Sequence, residues 1–289
     1  MKIIDPHIHL FDITLGEYAW LKPDNPPYWP DKAKINRNFG QRDLLLPPNM
    51  ELAGLVHIEA GFNNQHPWLE IEWLDSSCSL PHRTVACIDL TSDQQDFNKT
   101  LDKLAKHKSV VGVRHILDED AFAILQHPNT SQNLTTLAEK NLIFELQMPF
   151  LHTESVEQFT HVLHKVSGLT VIINHSGIPP YSSAQECLDW RAWQDNLAKL
   201  SAFKQVALKC SGAEMINRNY ELTWLKNTLL ALVELFGIDR VMLASNFPLC
   251  LFSKTYQQHW LDNFEIGEIA ANNLLFQNAY NWYRFKEIS

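Results

Sequence analysis

The strongest constraint on the fold is a repeated alternation of two hydrophobic periods. Short runs rich in β-branched and apolar residues occur at 2–9, 53–59, 84–90, 110–115, 142–146, 170–174, 206–210 and 241–245. Between them lie longer stretches of helical period at 66–79, 93–106, 131–139, 153–166, 184–200, 220–236 and 268–285. Strand, helix, strand in steady alternation implies parallel pairing through right-handed crossovers. The strand runs are almost continuously apolar, as expected where both faces are covered. Eight such units in 289 residues fit one α/β domain, a closed (β/α)8 TIM barrel with some decoration. A doubly wound open sheet is the alternative, but no strand is followed by a phosphate-binding G-x-G-x-x-G turn. Residues 25–49, with Pro26-Pro27 and Pro47-Pro48, read as a long loop with a short helix covering one mouth of the barrel. No linker marks a second domain.

Composition narrows the function classes. The chain is 45% apolar, enough for a sizeable core, and carries nine Trp. A formal charge of −9 without any basic stripe argues against nucleic-acid binding. Cys78, Cys87, Cys187, Cys210 and Cys250 are scattered and odd in number, which fits reduced thiols in a cytoplasmic protein. No signal-peptide pattern opens the chain, and no apolar run approaches the roughly 18 residues needed to span a bilayer. The expected partner is a small-molecule substrate, with neither nucleic acid nor membrane, and a homodimer stays open.

Polar residues gather at strand ends. In a strand, residues two apart face the same way, so His7 and His9 point together, inward if the strand lines a barrel. Two imidazoles on one rigid strand make half a site for a divalent metal such as zinc; core packing is the plainer alternative. His175 follows the run 171–173 and precedes a Gly-Ile-Pro-Pro turn, as a site residue or a hydrogen-bonded core histidine. Arg114 ends the apolar run 110–113, where its planar fork suits a carboxylate or carbonyl, unless it pairs with a neighbouring acid. His115 then faces the helices. Lys209, ending strand seven, can orient substrate or pair with an acid. His57 and Glu59 share a face at the end of strand two, and Glu145 and Gln147 share one near the end of strand five. Each pair can touch substrate or support the site from behind. Asp12 caps the first loop or supports the histidines. Trp20, Tyr28 and Trp29 lie in early loops that can roof a pocket.

Taken in order, these segments resemble the amidohydrolase superfamily. Asp5-Pro6-His7-Ile8-His9-Leu10-Phe11-Asp12 is similar to its first strand. The likeness continues through Val111-Gly112-Val113-Arg114-His115, Ile173-Asn174-His175-Ser176-Gly177-Ile178-Pro179-Pro180, Lys209-Cys210-Ser211-Gly212 and Leu243-Ala244-Ser245-Asn246-Phe247-Pro248. More narrowly, the chain resembles the lactonase branch, with its fuconolactonase- and rhamnonolactonase-like enzymes and 2-pyrone-4,6-dicarboxylate lactone hydrolases. The resemblance implies hydrolysis of a small lactone or cyclic ester at the C-terminal ends of the strands. It implies that His7, His9 and His175 surround the substrate or a divalent metal, zinc being the expected ion; some members of the branch use no metal. It also implies Arg114 as the anchor for a carbonyl or carboxylate; Lys209, Glu59, His57 and Glu145 are expected as further substrate contacts from their strand-end positions, although relatives usually place less charge at 57 and 59.

One position departs from the family pattern. The strand-eight motif of such relatives carries an aspartate that takes a proton from the attacking water, and here the residue is Asn246. An amide donates and accepts hydrogen bonds but has no comparable basicity. Losing a general base costs about 10²–10⁴ in rate. His175, Asn246 and Arg114 are therefore the expected catalytic set, with three ways round the missing acid. Glu59, Glu145 or a neutral histidine supplies the base; or a metal-bound water, its pKa lowered to about 7, needs little help; or the barrel binds its ligand without turnover. The rival functions are an amidohydrolase-type decarboxylase and a non-catalytic small-molecule binder.

Overall fold

In the computed structural model, residues 1–181 and 187–287 are described. Eight parallel strands follow one another around the sheet in chain order: β1 (Lys2–Ile8), β2 (Glu51–Ile58), β3 (His82–Cys87), β4 (Val110–Ile116), β5 (Ile143–Gln147), β6 (Val171–Ile173), β7 (Val206–Cys210) and β8 (Val241–Leu243). The segment after β8 returns to β1 through a parallel bridge between Ile8 and Phe247, where His9 N donates to Phe247 O at 2.7 Å. The expected (β/α)8 barrel is therefore present. Around it lie α1 (Trp68–Ser77), α2 (Gln94–Leu104), α3 (Ala121–Gln126), α4 (Pro128–Glu139), α5 (Thr153–Lys165), α6 (Leu188–Ser201), α7 (Ala213–Ile216), α8 (Leu222–Phe236), α9 (Tyr256–Gly267) and α10 (Asn278–Trp282). No helix among the described residues is long and apolar enough to cross a membrane.

The core has two layers, and strand alternation assigns residues to them. Each strand gives the barrel interior at least one apolar side chain: Ile4, Val56 and Ile58, Val85, Val111, Ile143, Ile172, Ala207 and Met242. Ala279, Tyr283 and Phe285 from the C-terminal segment pack into the same cluster. The opposite strand faces, with Ile3, Leu55, Ala86, Phe144, Leu208 and Leu243, join the helices in the outer layer.

Two register shifts break the alternation where it matters. Counting by twos from interior Ile4 would turn Ile8 inward and His7 and His9 outward. Ile8 instead belongs to the outer layer, because the β1–β2 register shifts between Asp5 and Ile8. The β3–β4 register shifts between Thr84 and Val85, so interior Val111 is followed by outer Val113 and Arg114 turns inward. Such irregularities re-aim side chains at barrel rims.

Several boundaries differ from the sequence expectation. The start of the helix expected at 184–200 falls partly on residues 184–186, which lie outside the described residues. The helix expected from 131 begins at Pro128, whose missing N–H costs nothing at a first-turn position. The stretch 268–285 is helical but broken, with a π-turn over Asn273–Gln277 before α10. Helix α9 was not expected at all. Its signal is Thr255-x-x-Gln258, a capping pair in which Thr255 Oγ1 accepts from Gln258 N at 3.1 Å. The long loop carries 3₁₀ turns at Lys32–Lys34 and Gln41–Asp43. It reaches the C-terminal end of the barrel, where Asp31 pairs with Arg218 and Trp29 packs edge-on against Phe252.

Candidate active site

The three expected histidines converge. The His7 ring centroid lies 4.9 Å from that of His9 and 4.7 Å from that of His175. His9 Nδ1 sits 2.9 Å from Ile58 O and 3.1 Å from Glu59 O. Carbonyls only accept, so this nitrogen carries the proton and Nε2 keeps its lone pair. His7 Nε2 lies 3.1 Å from His9 Nε2, so a neutral His7 donates there, leaving its buried Nδ1 without a partner. His175 Nδ1 meets Ser211 Oγ at 3.0 Å. Burial pushes all three imidazoles below their ordinary range; Lys209 adds to this at His7 and His175, and Arg114 at His9. They are neutral at pH 7.

The surrounding charges are paired. Arg114 Nε donates to Glu59 Oε1 at 2.9 Å, Nη2 to Glu59 O at 3.0 Å and Nη1 to Gln147 Oε1 at 3.0 Å. Arg114 thus has an acid partner, and Glu59 is held beside the pocket rather than free in it. Burial raises the Glu59 carboxyl, and Arg114 opposes that rise. Lys209 and Glu145, both fully buried, form an ion pair, and Tyr283 donates to the other Glu145 oxygen. Burial brings the Lys209 ammonium down to about 8 against the pull of Glu145. These two lie inside the barrel, and their known partners are each other, Tyr283 and Pro6 O. His57 faces α1: Nε2 bonds Glu70 Oε1 at 2.9 Å, and Nδ1 accepts from Leu10 N at 3.2 Å. Both of its nitrogens are occupied, so His57 supports the first strand from behind instead of reaching substrate. Of the aromatics, Trp20 bonds Ala60 O at 2.7 Å above the strand ends, whereas Tyr28 is 73% exposed and borders a shallow outer concavity with Trp29 and Lys32.

Asn246 lies at the same mouth, with a partner no sequence signal announced. Its Nδ2 donates to Glu214 Oε1 at 2.6 Å, and both side chains are buried. Glu214 Oε2 and Asn246 Oδ1 have no hydrogen-bond partner. Burial lifts the Glu214 carboxyl to about 7, against the opposing effect of the Asn246 amide. Glu214 sits on the short helix α7 directly after Gly212, at φ 74°. A Cβ on Gly212 would stand 2.7 Å from His175 Nδ1, so only glycine lets that ring approach.

The amidohydrolase family model matches residues 4–285. The chain belongs to the amidohydrolase family. It is similar to the uncharacterised protein y4mH of Sinorhizobium fredii, 28% identical over 304 residues, covering 98% of this chain and 99% of that protein. Among solved structures, an amidohydrolase from Burkholderia multivorans with bound zinc shares the fold at TM-score 0.80 and 18% identity, covering 98% of this chain and 99% of that one. A putative 2-pyrone-4,6-dicarboxylic acid hydrolase from Pseudomonas putida shares it at TM-score 0.69 and 18% identity, covering 98% of each chain.

Zinc in a fold relative raises the question of whether this amidohydrolase can hold it. His9 is built as a ligand, with Nδ1–H fixed by carbonyls and Nε2 free. His7 is not: binding through Nε2 would move its proton to Nδ1, which has no acceptor. Among the described residues, no three His, Cys, Asp or Glu side chains are grouped to hold a metal ion. The arrangement seen therefore does not fit the expected three-histidine cation site. What it offers is a neutral imidazole cluster bordered by Arg114 and by the Asn246–Glu214 pair.

Proposed function

We propose that this amidohydrolase hydrolyses a small lactone or related cyclic ester bearing a carboxylate or hydroxyls. The observation that carries this reading is the convergence of His7, His9 and His175, held neutral, at the strand ends of the barrel. Uncharged donors and acceptors in a low-dielectric pocket suit a neutral ring ester. They can hydrogen-bond the carbonyl oxygen as charge develops on it. Arg114 has one Nη1 N–H beyond its bonds to Glu59 and Gln147 to offer a carbonyl or carboxylate. Lys209 and Glu145 act from inside the barrel, Lys209 helping to keep His7 and His175 unprotonated and Glu145 neutralising Lys209.

The test is a screen of purified protein against sugar lactones and dicarboxylate lactones, as isolated and with added Zn²⁺ or Mn²⁺. Ring opening above the uncatalysed rate is expected. No turnover of any lactone under these conditions contradicts the reading, and CO2 release from an aromatic acid would put a decarboxylase in its place.

A further inference from the structure

We propose that Glu214 is the proton acceptor for the water that opens the ring, and that Asn246 positions it; this rests on the lactone-hydrolase reading above. The strand-eight residue that would be an acid in relatives is an amide, so the basic group must come from elsewhere. Of the acids near the mouth, Glu59 is committed to Arg114, Glu145 to Lys209 and Tyr283, and Glu70 to His57 and the main chain of Ala60. Glu214 keeps Oε2 buried without a partner, and unlike the Glu59 carboxylate, which holds the Arg114 guanidinium through Oε1, it is paired with no cation.

Its placement is also right. Gly212, two residues earlier, lies against the His175 ring, and Asn246 follows Ser245, whose hydroxyl meets His7 O at 3.5 Å. The 2.6 Å bond from Asn246 Nδ2 fixes one oxygen of Glu214 and leaves the other with its lone pairs uncommitted. The groups around it do not claim it. Arg218 turns its guanidinium to Asp31 and to the main-chain carbonyl of Glu214, and Lys254 pairs with Asp262 at 2.5 Å. Tyr220 and Cys250, the other titratable neighbours, are both held protonated by burial. The Glu214 carboxyl, at about 7, is partly ionised at neutral pH and a stronger base than an ordinary carboxylate.

In the step, water oxygen bonds to the ester carbonyl carbon, the C=O π pair moves to oxygen, and the water proton passes to Glu214 Oε2. Collapse of the tetrahedral intermediate breaks the ring C–O bond, and Glu214 returns the proton to the departing alkoxide. The product is a hydroxy acid and Glu214 ends as it began.

Glu214→Gln tests this. It should lower kcat about 10²–10⁴-fold with KM nearly unchanged. The double variant Asn246→Asp/Glu214→Gln, which returns the carboxylate to strand eight, should regain at least about tenfold of that loss. In the wild type kcat/KM should fall as pH drops below about 7, and in the double variant that limb should move toward ordinary carboxylate values. A wild-type kcat in Glu214→Gln overturns the assignment and leaves the lactone-hydrolase reading standing. No lactone turnover by the wild type overturns both. Should Glu214→Gln fail to fold, Glu214→Asp takes its place: a retracted carboxylate should cost about tenfold or more in kcat, and a wild-type kcat there is equally fatal.

Discussion

At position 212 a single methyl group decides whether His175 can sit against its neighbours. Gly212→Ala would place a Cβ 2.7 Å from the imidazole and force a side chain into φ 74°. Strain of this kind costs about 1–3 kcal/mol, so both Tm and kcat should fall, kcat by about tenfold or more. His175, Ser176, Ile178 and Asn246 also have positive φ, between 52° and 57°. Asparagine and aspartate tolerate this region well and a β-branched isoleucine does not, so strain is concentrated beside the site. Asn246→Asp alone would set a second carboxylate beside Glu214, where 2.6 Å now separates amide from acid. Two like charges so close share one proton, so the pair titrates in two steps, one moved down and one up, and the single acid limb near 7 should give way to two steps that flank it. A pH profile of that single variant checks it.

At the scale of elements, the barrel is aimed from two irregular strands and closed by the last one. Tyr283, from the C-terminal segment, donates to Glu145, which in turn neutralises Lys209. Tyr283→Phe leaves a buried carboxylate oxygen unpaired and should cost about 1–3 kcal/mol, read as a lower urea midpoint at unchanged m. The eight strands and the facing of His7 with His9 were legible because residues two apart share a face on either side of an irregularity. The shifts at Asp5–Ile8 and at Val85 were not legible, since they depend on pairing with a neighbouring strand. The same holds for partners. Arg114 finds Glu59 and Asn246 finds Glu214 across strands, at separations that no local pattern encodes. Helix α9, by contrast, had a readable cap at Thr255.

For the whole molecule, buried titratable groups set how stability responds to acid. His7, His9, His175 and His259 all have folded-state pKa values below their ordinary 6.5, with His259 near 4. Below pH 6.5 the unfolded chain takes up protons that the folded chain refuses, so stability falls as pH falls. Asp5, raised to about 6, Glu214, raised to about 7, and Glu59 and Asp118, also raised by burial, act in the opposite sense, but the deeply lowered imidazoles carry the larger shifts. Urea midpoints should therefore drop from pH 7 to pH 5, and drop less in His175→Gln. In the proposed reaction the imidazole cluster is where the ring opens. A crystal structure with the hydroxy-acid product of an active lactone tests that most directly. The product is predicted to lie against the rings of His7, His9 and His175 with an oxygen within hydrogen-bond reach of Glu214; a product bound elsewhere on the barrel, with the cluster untouched, would contradict it.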